Sequence, residues 1–403
     1  MTKCDYLFLL VGRNPLPNYV VTHHLMGEGE AGQVVLLYSG HTQPLGELLQ
    51  KRLIEDFKVK TEIREIPAVG SGAIKKRITD IVRSLAIPKD AIVNLNYTGG
   101  TKPMAVHVYR ALESAFDNQI TFSYLNAQDL YLYTDNGPDE GSQFTNNTSN
   151  ATCLHLSLAK LAALHGYDVI VDGNARKEPT NLDLATAVCH INQNETGQAA
   201  WLKWRQEEFL QDKLPDPNIY QPLREFTNTL EKLCEGSPTP EKVAQLLGHK
   251  QLNQCGKWFN SDWLEDVVLA TVQSLKSRIN FTDDQIMAGL KLKPQADLKL
   301  KDSRDFESDV LIVKGFQVFL ISCIANSNQK PQETKKHLFE AYVRARQLGG
   351  DEARTAVVCL LNNSDAVEME IKRDWLPVGG IRVFGRDHLD KLATHLNRWI
   401  AQA

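Results

Sequence analysis

Five consecutive residues, Thr98-Gly99-Gly100-Thr101-Lys102, carry the groups that bind an anion. Amide hydrogens at a tight glycine turn and at a helix start carry partial positive charge, and glycine lets a phosphate approach them closely. Two threonine hydroxyls and the Lys102 ammonium add side-chain donors. The bland alternative is a glycine turn that closes a strand–helix unit and leaves its threonines in solvent. TGGTK is neither a GxxxxGK[ST] phosphate loop nor a GxGxxG dinucleotide fingerprint. Arg13, within Gly12-Arg13-Asn14, is a second cation able to grip a phosphate bidentately; its alternative is a solvated loop arginine.

An alternating α/β frame is needed to bring these groups together. The apolar run of Ile92, Val93 and Leu95 ends at Asn96, and Lys102-Pro103 opens a helix with Met104, Val108, Ala111, Leu112 and Ala115 at helical spacing. Upstream, Tyr6 to Val11 and Gln33 to Tyr38 read as strands, the first a continuous apolar run of the kind covered on both faces. Helices fall between them, Glu62 to Ile66 is a third strand, and Ile74, Ile78, Ile81 and Val82 form a helical stripe. Two extended runs, Ile120 to Leu125 and Leu130 to Tyr133, close the segment. The order βαβαβαβα, then ββ, predicts a Rossmann-like open sheet with a terminal hairpin. Ligands of such sheets sit at the carboxyl ends of the strands. Three loops converge there: Gly12-Arg13-Asn14, Ser39-Gly40 and Thr98 to Lys102.

NYTGGTKPM after a hydrophobic strand resembles the ligand-binding motif of CARF domains, the CRISPR-associated Rossmann folds that bind cyclic oligoadenylates. The resemblance is to ancillary effectors that join a CARF domain to a PD-(D/E)xK nuclease domain. It implies an activator, cyclic tetra-adenylate first among ring sizes, held across a homodimer in type III CRISPR antiviral defence. The implied ligand residues are Gly12, Arg13, Asn14, Ser39, Gly40, Thr98, Gly99, Gly100, Thr101 and Lys102. A two-fold ligand on a two-fold axis is the economical geometry.

At 403 residues, with 42% hydrophobic and 23% charged, the chain reads as a globular protein of more than one domain. Its net charge of −4, from 45 basic and 49 acidic residues, excludes a generally basic nucleic-acid coat while leaving room for a local basic groove. No apolar run reaches bilayer length, so no membrane partner is expected, and the N-terminal run reads as a strand rather than a signal peptide. Seven scattered cysteines without a CxxC pair argue against a disulfide framework or structural zinc and for a reducing cytoplasm. The eleven histidines show no HExxH.

The expected domains are 1–150 for ligand binding, 151–255 as a mostly helical connector, and 256–403 as a restriction-endonuclease-like α/β domain. Residues 136 to about 155 read as a loop, and the NxS/T sequons at Asn146 and Asn147 mean nothing in a cytoplasmic protein. From Asp262 the pattern is a helix bearing an acid, then two strands around Gly315-Phe316, a helix from about Lys330 to Leu348, and two further strands.

That order is similar to the PD-(D/E)xK nuclease core, whose acids hold a divalent metal, here expected as Mg²⁺ or Mn²⁺. By this resemblance Asp309 matches the motif aspartate and Glu265 the acid of the preceding helix, both as metal ligands. Glu307, two residues before Asp309, projects from the same face if the segment is extended. Where the family has an acid, any residue and a lysine, this chain has Ser322, Cys323 and Ile324. Ser322 can coordinate through its hydroxyl or a bound water; Ile324 cannot supply charge, and Lys314, Lys335 and Lys336 are the nearby cations. The implied activity is ligand-activated cleavage of DNA, single-stranded RNA or both. Two alternatives stay open: a ring-binding regulator with a degenerate nuclease domain, and a nucleotide-dependent small-molecule enzyme, which lacks its GxGxxG motif here.

Overall fold

The computed structural model describes residues 4–26, 32–117, 119–127, 130–135, 154–170, 175–295, 305–325, 330–374 and 380–401. The loop expected from 136 lies largely outside these residues, its sequons included. The strands of the first sheet are β1 (Tyr6–Leu10), β2 (Gln33–Tyr38), β3 (Lys60–Glu65), β4 (Val93–Asn96), β5 (Ile120–Leu125) and β6 (Leu132–Thr134). They lie in the order β3-β2-β1-β4-β5-β6, with β6 antiparallel to β5 and every other pair parallel.

Parallel strands need crossovers, and α1 (Leu16–Met26), α2 (Gln43–Phe57), α3 (Ser71–Leu85) and α4 (Lys102–Ala115) supply them. Alternation along β1 sends Leu7 and Leu9 into one apolar cluster with α1 and α2, and Phe8 and Leu10 into another with α3 and α4. All four side chains are fully buried, each worth about 2 kcal/mol of transfer free energy. This two-sided burial is why the run carries no polar residue.

The second sheet holds β7 (Tyr167–Ile170), β8 (Ile286–Pro294), β9 (Phe306–Lys314), β10 (Gln317–Ile324), β11 (Arg354–Cys359) and β12 (Ile381–Phe384), in sequence order across the sheet. The pairs from β7 to β10 are antiparallel; β10-β11 and β11-β12 are parallel. Among the described residues ten α-helices accompany it: α5 (Leu158–Leu164), α6 (Leu182–Asn192), α7 (Glu195–Glu207), α8 (Arg224–Leu233), α9 (Pro240–Leu246), α10 (Trp263–Ser274), α11 (Lys276–Ile279), α12 (Pro331–Gly349), α13 (Ser364–Asp374) and α14 (Leu392–Ala401).

The stretch read as a connector is mostly helical, but its described residues are built into the second sheet's body. Its strand β7 is the edge strand beside β8. Trp201, Trp204, Phe226 and Phe259 pack edge-on or tilted around one another, and the same apolar cluster takes in Val268 of α10, Ile312 of β9 and Phe319 of β10. A further cluster runs from α1 and α2 through α5 into Leu311, Val313 and Leu320 under α12, so the two sheets share packed core.

Candidate functional site

The glycine turn after β4 is braced from below by a buried polar ladder. Asn96 Nδ2 donates to Ser123 Oγ at 3.1 Å, and Ser123 Oγ donates to Asn94 Oδ1 at 2.9 Å. These groups are inside the sheet, so each satisfies another that would otherwise be stranded. Asn96 Oδ1 then accepts from the Thr98 amide at 3.2 Å and sets the start of the turn.

Close approach explains the glycines. A β-carbon at Gly99 would collide with the Leu10 carbonyl oxygen, one at Gly100 would lie 2.9 Å from Leu10 Cβ, and one at Gly12 would lie 3.2 Å from the Gly100 amide nitrogen. Gly100 also has φ of 77°, the left-handed region. Gly12, Gly99 and Gly100 are thus brought together at the carboxyl ends of β1 and β4.

The threonines are spent on the turn itself. Thr98 Oγ1 accepts from the Leu125 amide at 2.7 Å. Thr101 is the N-cap of α4: its Oγ1 accepts from the Met104 amide at 3.3 Å and donates to the Ala68 carbonyl at 3.1 Å. What faces outward is backbone and charge. Among the described residues no acceptor takes the amide hydrogens of Gly99, Gly100 or Thr101, and Lys102 and Arg13 are exposed without an ion pair.

Ser39 is buried, with its hydroxyl 3.3 Å from Thr42 Oγ1, and Gly40 lies toward the Glu65 carboxyl. Asn14 does not turn into the corner. Its Oδ1 accepts from the Leu16 amide at 3.0 Å at the start of α1, and its amide lies against Gly350 after α12.

A second site lies in the C-terminal half, in a cleft of about 290 Å³ lined by Glu265, Glu307, Asp309, Ser322, His337 and Arg344 among others. A π-helical turn, Trp258–Asp262, precedes α10 and leads directly to Glu265 on its first turn. Asp309 projects from β9, where one oxygen accepts from Ser322 Oγ at 2.9 Å and from the Cys323 amide at 2.7 Å.

Both acids are raised from their ordinary values. Burial, then the charges of Asp309 and Asp262, push Glu265 up to about 8, against the pull of Arg176 and Lys257. Asp309 is raised by burial, opposed by its two hydrogen bonds and by the charges of His337 and Arg344. Glu307 stands at the exposed rim, 3.8 Å from Lys291 Nζ, while Arg344 donates to its carbonyl at 2.6 Å.

Arg176 is the residue that sequence reasoning missed. Its Nη2 donates to Glu265 Oε2 at 3.0 Å and its Nε to Asp266 Oδ1 at 2.9 Å. Asp266 is fully buried and also accepts from Trp258 Nε1 at 2.8 Å. Arg176 sits in a short bridge to Ala288, with no periodicity to mark it. The lysines expected to supply local charge are engaged elsewhere: Lys314 donates to the Ile400 carbonyl at 3.1 Å and Lys335 pairs with Glu370. Lys336 is exposed and does not line the cleft.

The donor set suits a hard cation that keeps much of its water. Among the described residues no three His, Cys, Asp or Glu side chains are grouped to hold a metal. Two carboxylates are nevertheless enough for magnesium-type binding completed by water and a substrate phosphate. Asp309 Oδ1 and Glu265 Oε1 have no hydrogen-bond partner among the described residues, and a cation between them would offset the burial that raises both acids and the Asp309 charge that adds to it at Glu265.

No family model and no curated protein matches the chain. Among solved structures it is similar to Can2 from Sulfobacillus thermosulfidooxidans in complex with cyclic tetra-adenylate, with a TM-score of 0.68 at 15% identity, covering 98% of this chain and 99% of that one. It is also similar to protein VC1899 from Vibrio cholerae, with a TM-score of 0.66 at 16% identity over 98% of each chain. At such identity the likeness is one of fold, and the fold is the α/β one expected: a Rossmann-like N-terminal sheet followed by a C-terminal α/β domain.

Proposed function

We propose that this protein is a cyclic-oligoadenylate-activated, metal-dependent nuclease of type III CRISPR antiviral defence, working as a cytoplasmic homodimer on DNA, RNA or both. The observation that carries the reading is a pair of raised acids, half-buried Asp309 and buried Glu265, sharing one open cleft in a chain that also carries a phosphate-type glycine turn. The binding of cyclic tetra-adenylate by Can2, which has the same fold, supports cyclic tetra-adenylate as the first activator to try.

In this reading residues 1–150 bind the ring and 256–403 cut, with α6 to α9 between them packed onto the cutting half. Gly99, Gly100, Thr101 and Lys102 offer backbone donors and charge to the ring phosphates, with Arg13 beside them. Gly12, Ser39, Gly40 and Thr98 shape the corner rather than donate to the ligand, and Asn14 is turned to the start of α1. In the cleft, Asp309 and Glu265 would hold Mg²⁺ or Mn²⁺, which supplies Lewis acidity and a bound water of lowered pKa. Ser322 orients Asp309, and Arg176 holds Glu265 in place. Ring binding gates the cut only if the ring favours a closed dimer over an open one.

One observation favours a second reading, a ring-binding regulator that does not cut. Ile324 occupies the motif-lysine position, and Lys314 and Lys335 are tied to other partners. Cleavage of plasmid DNA and single-stranded RNA by wild type and Asp309→Ala, with Mn²⁺ and cyclic tetra-adenylate, decides between them. The nuclease reading expects cutting by wild type alone, dependent on both additions. Equal inactivity of the two proteins supports the regulator. Ring binding untouched by Thr101→Ala together with Lys102→Ala sinks the ligand half of both.

A further inference from the structure

A wide groove of about 770 Å³ opens beside the acid cleft and shares Ser261, Cys323 and His337 with it. It runs between the end of α7 and the start of α12. Arg205, on α7, is half-buried, and its Nε is sealed from solvent with no acceptor. Among the described residues its guanidinium makes neither a hydrogen bond nor an ion pair. An arginine stays charged at any physiological pH, so an unpaired, partly desolvated guanidinium is a site short of an anion. A phosphodiester offers the planar pair of oxygens that the fork fits.

The rest of the lining agrees. Leu210, 72% exposed, lines the groove as a bare apolar side chain beside the buried Phe209 in sequence, and Gln206 and Asn260 are exposed there. An exposed apolar side chain can pack against a base face, while an amide can donate to and accept from a base edge. Glu333, on the first turn of α12, is the one acid among the described residues lining this groove, and it makes no ion pair with Arg205.

We propose that this groove carries the polynucleotide strand away from the scissile phosphate, with Arg205 holding a neighbouring phosphodiester and Leu210 supporting an unstacked base. The inference rests on the nuclease reading of the adjoining cleft. It assigns Arg205 to strand binding, apart from the acids that would cut.

The test uses full-length protein carrying Asp309→Asn, so that a strand can bind without being cut. Fluorescence anisotropy follows labelled single-stranded DNA and RNA oligonucleotides, with cyclic tetra-adenylate and Mg²⁺, across a salt series. Adding Arg205→Gln should weaken binding about tenfold irrespective of sequence and lower the log–log salt slope by about one. Arg205→Lys should keep the slope and recover part of the affinity. Binding of Arg205→Gln equal to that of its parent, with an equal slope, overturns the proposal and leaves the nuclease reading standing. Failure of the parent to bind any strand, with or without activator, overturns the nuclease reading and this proposal with it. Should Arg205→Gln fail to fold, Leu210→Asp at its exposed position replaces it: lost binding supports the groove and unchanged binding overturns it.

Discussion

Arg176 Nη2 lies 3.0 Å from Glu265 Oε2 while the Nε of the same guanidinium lies 2.9 Å from Asp266 Oδ1, so one cation clamps two adjacent acids of α10. The Arg176 side chain is 15% exposed and that of Asp266 not at all. Taking the cation away strands a buried carboxylate, and that imbalance, rather than the pair's own attraction, sets the cost. Arg176→Met should lose about 3 kcal/mol of stability in urea denaturation. Arg176→Met with Asp266→Asn should lose less than the sum of the two single changes, because the second removes the charge the first strands. Strict additivity would mean that the clamp is not an energetic unit.

The raised acids give a pH dependence with a definite sign. Glu265 titrates at about 8 in the folded protein against an ordinary 4.5, so between these values the folded state binds more protons than the unfolded one. Stability in the absence of divalent metal must therefore fall as pH rises through that window, and Asp309, also raised, pushes the same way. Thermal melts should show wild type weakening from the acid to the alkaline end, with Glu265→Gln distinctly flatter. Added Mg²⁺ should flatten the wild-type curve too, since a cation between the acids favours their charged forms. Parallel curves for wild type and Glu265→Gln would refute the linkage.

Legibility followed the reach of local pattern. β1, β2 and the stripe of α3 were readable because parallel burial and helical amphipathy leave periodic marks in the residues themselves. The glycine turn was readable because close approach to Leu10 allows no other residue. β8 escaped notice although its burial alternates, because Gly289, Lys291 and Lys293 break up its apolar positions. Arg176 was invisible for a different reason: it meets Glu265 across 89 positions, and nothing local records so distant a partner. The stretch holding α6 to α9 was legible only as mostly helical, and which sheet its aromatic faces cover is decided by packing and not by spacing.

The ligand corner separates two kinds of substitution. Gly99→Ala forces a β-carbon onto the Leu10 carbonyl, so the turn must move off β1. A stability loss of about 2 kcal/mol and loss of ring binding should appear together. Lys102→Ala removes an exposed cation with no partner among the described residues and should leave the melting temperature within the range of an ordinary surface change, about 0.5 kcal/mol. Its effect should fall on cyclic tetra-adenylate affinity alone, weakened about tenfold by loss of one charge-assisted contact. Calorimetric titration beside thermal melts reads both. A Lys102→Ala protein that binds the ring as wild type does would remove the ammonium from the site.

Restoring the motif lysine should not restore anything. Ile324 is 7% exposed and packs among Leu338, Val357 and Cys359, on an apolar surface built by α12 and β11. An ammonium placed there by Ile324→Lys finds no acid in that cluster and must either stay desolvated or drive the end of β10 outward. The expected result is a loss of about 3 kcal/mol in urea denaturation with no gain in Mn²⁺-dependent cleavage. The opposite result, faster cleavage at an unchanged denaturation midpoint, would mean that the new side chain leaves the cluster through the neighbouring groove, which Ile324 also lines. In that event the cleft lacks a charge that Arg176 does not supply, and the isoleucine is what holds the wild-type enzyme back.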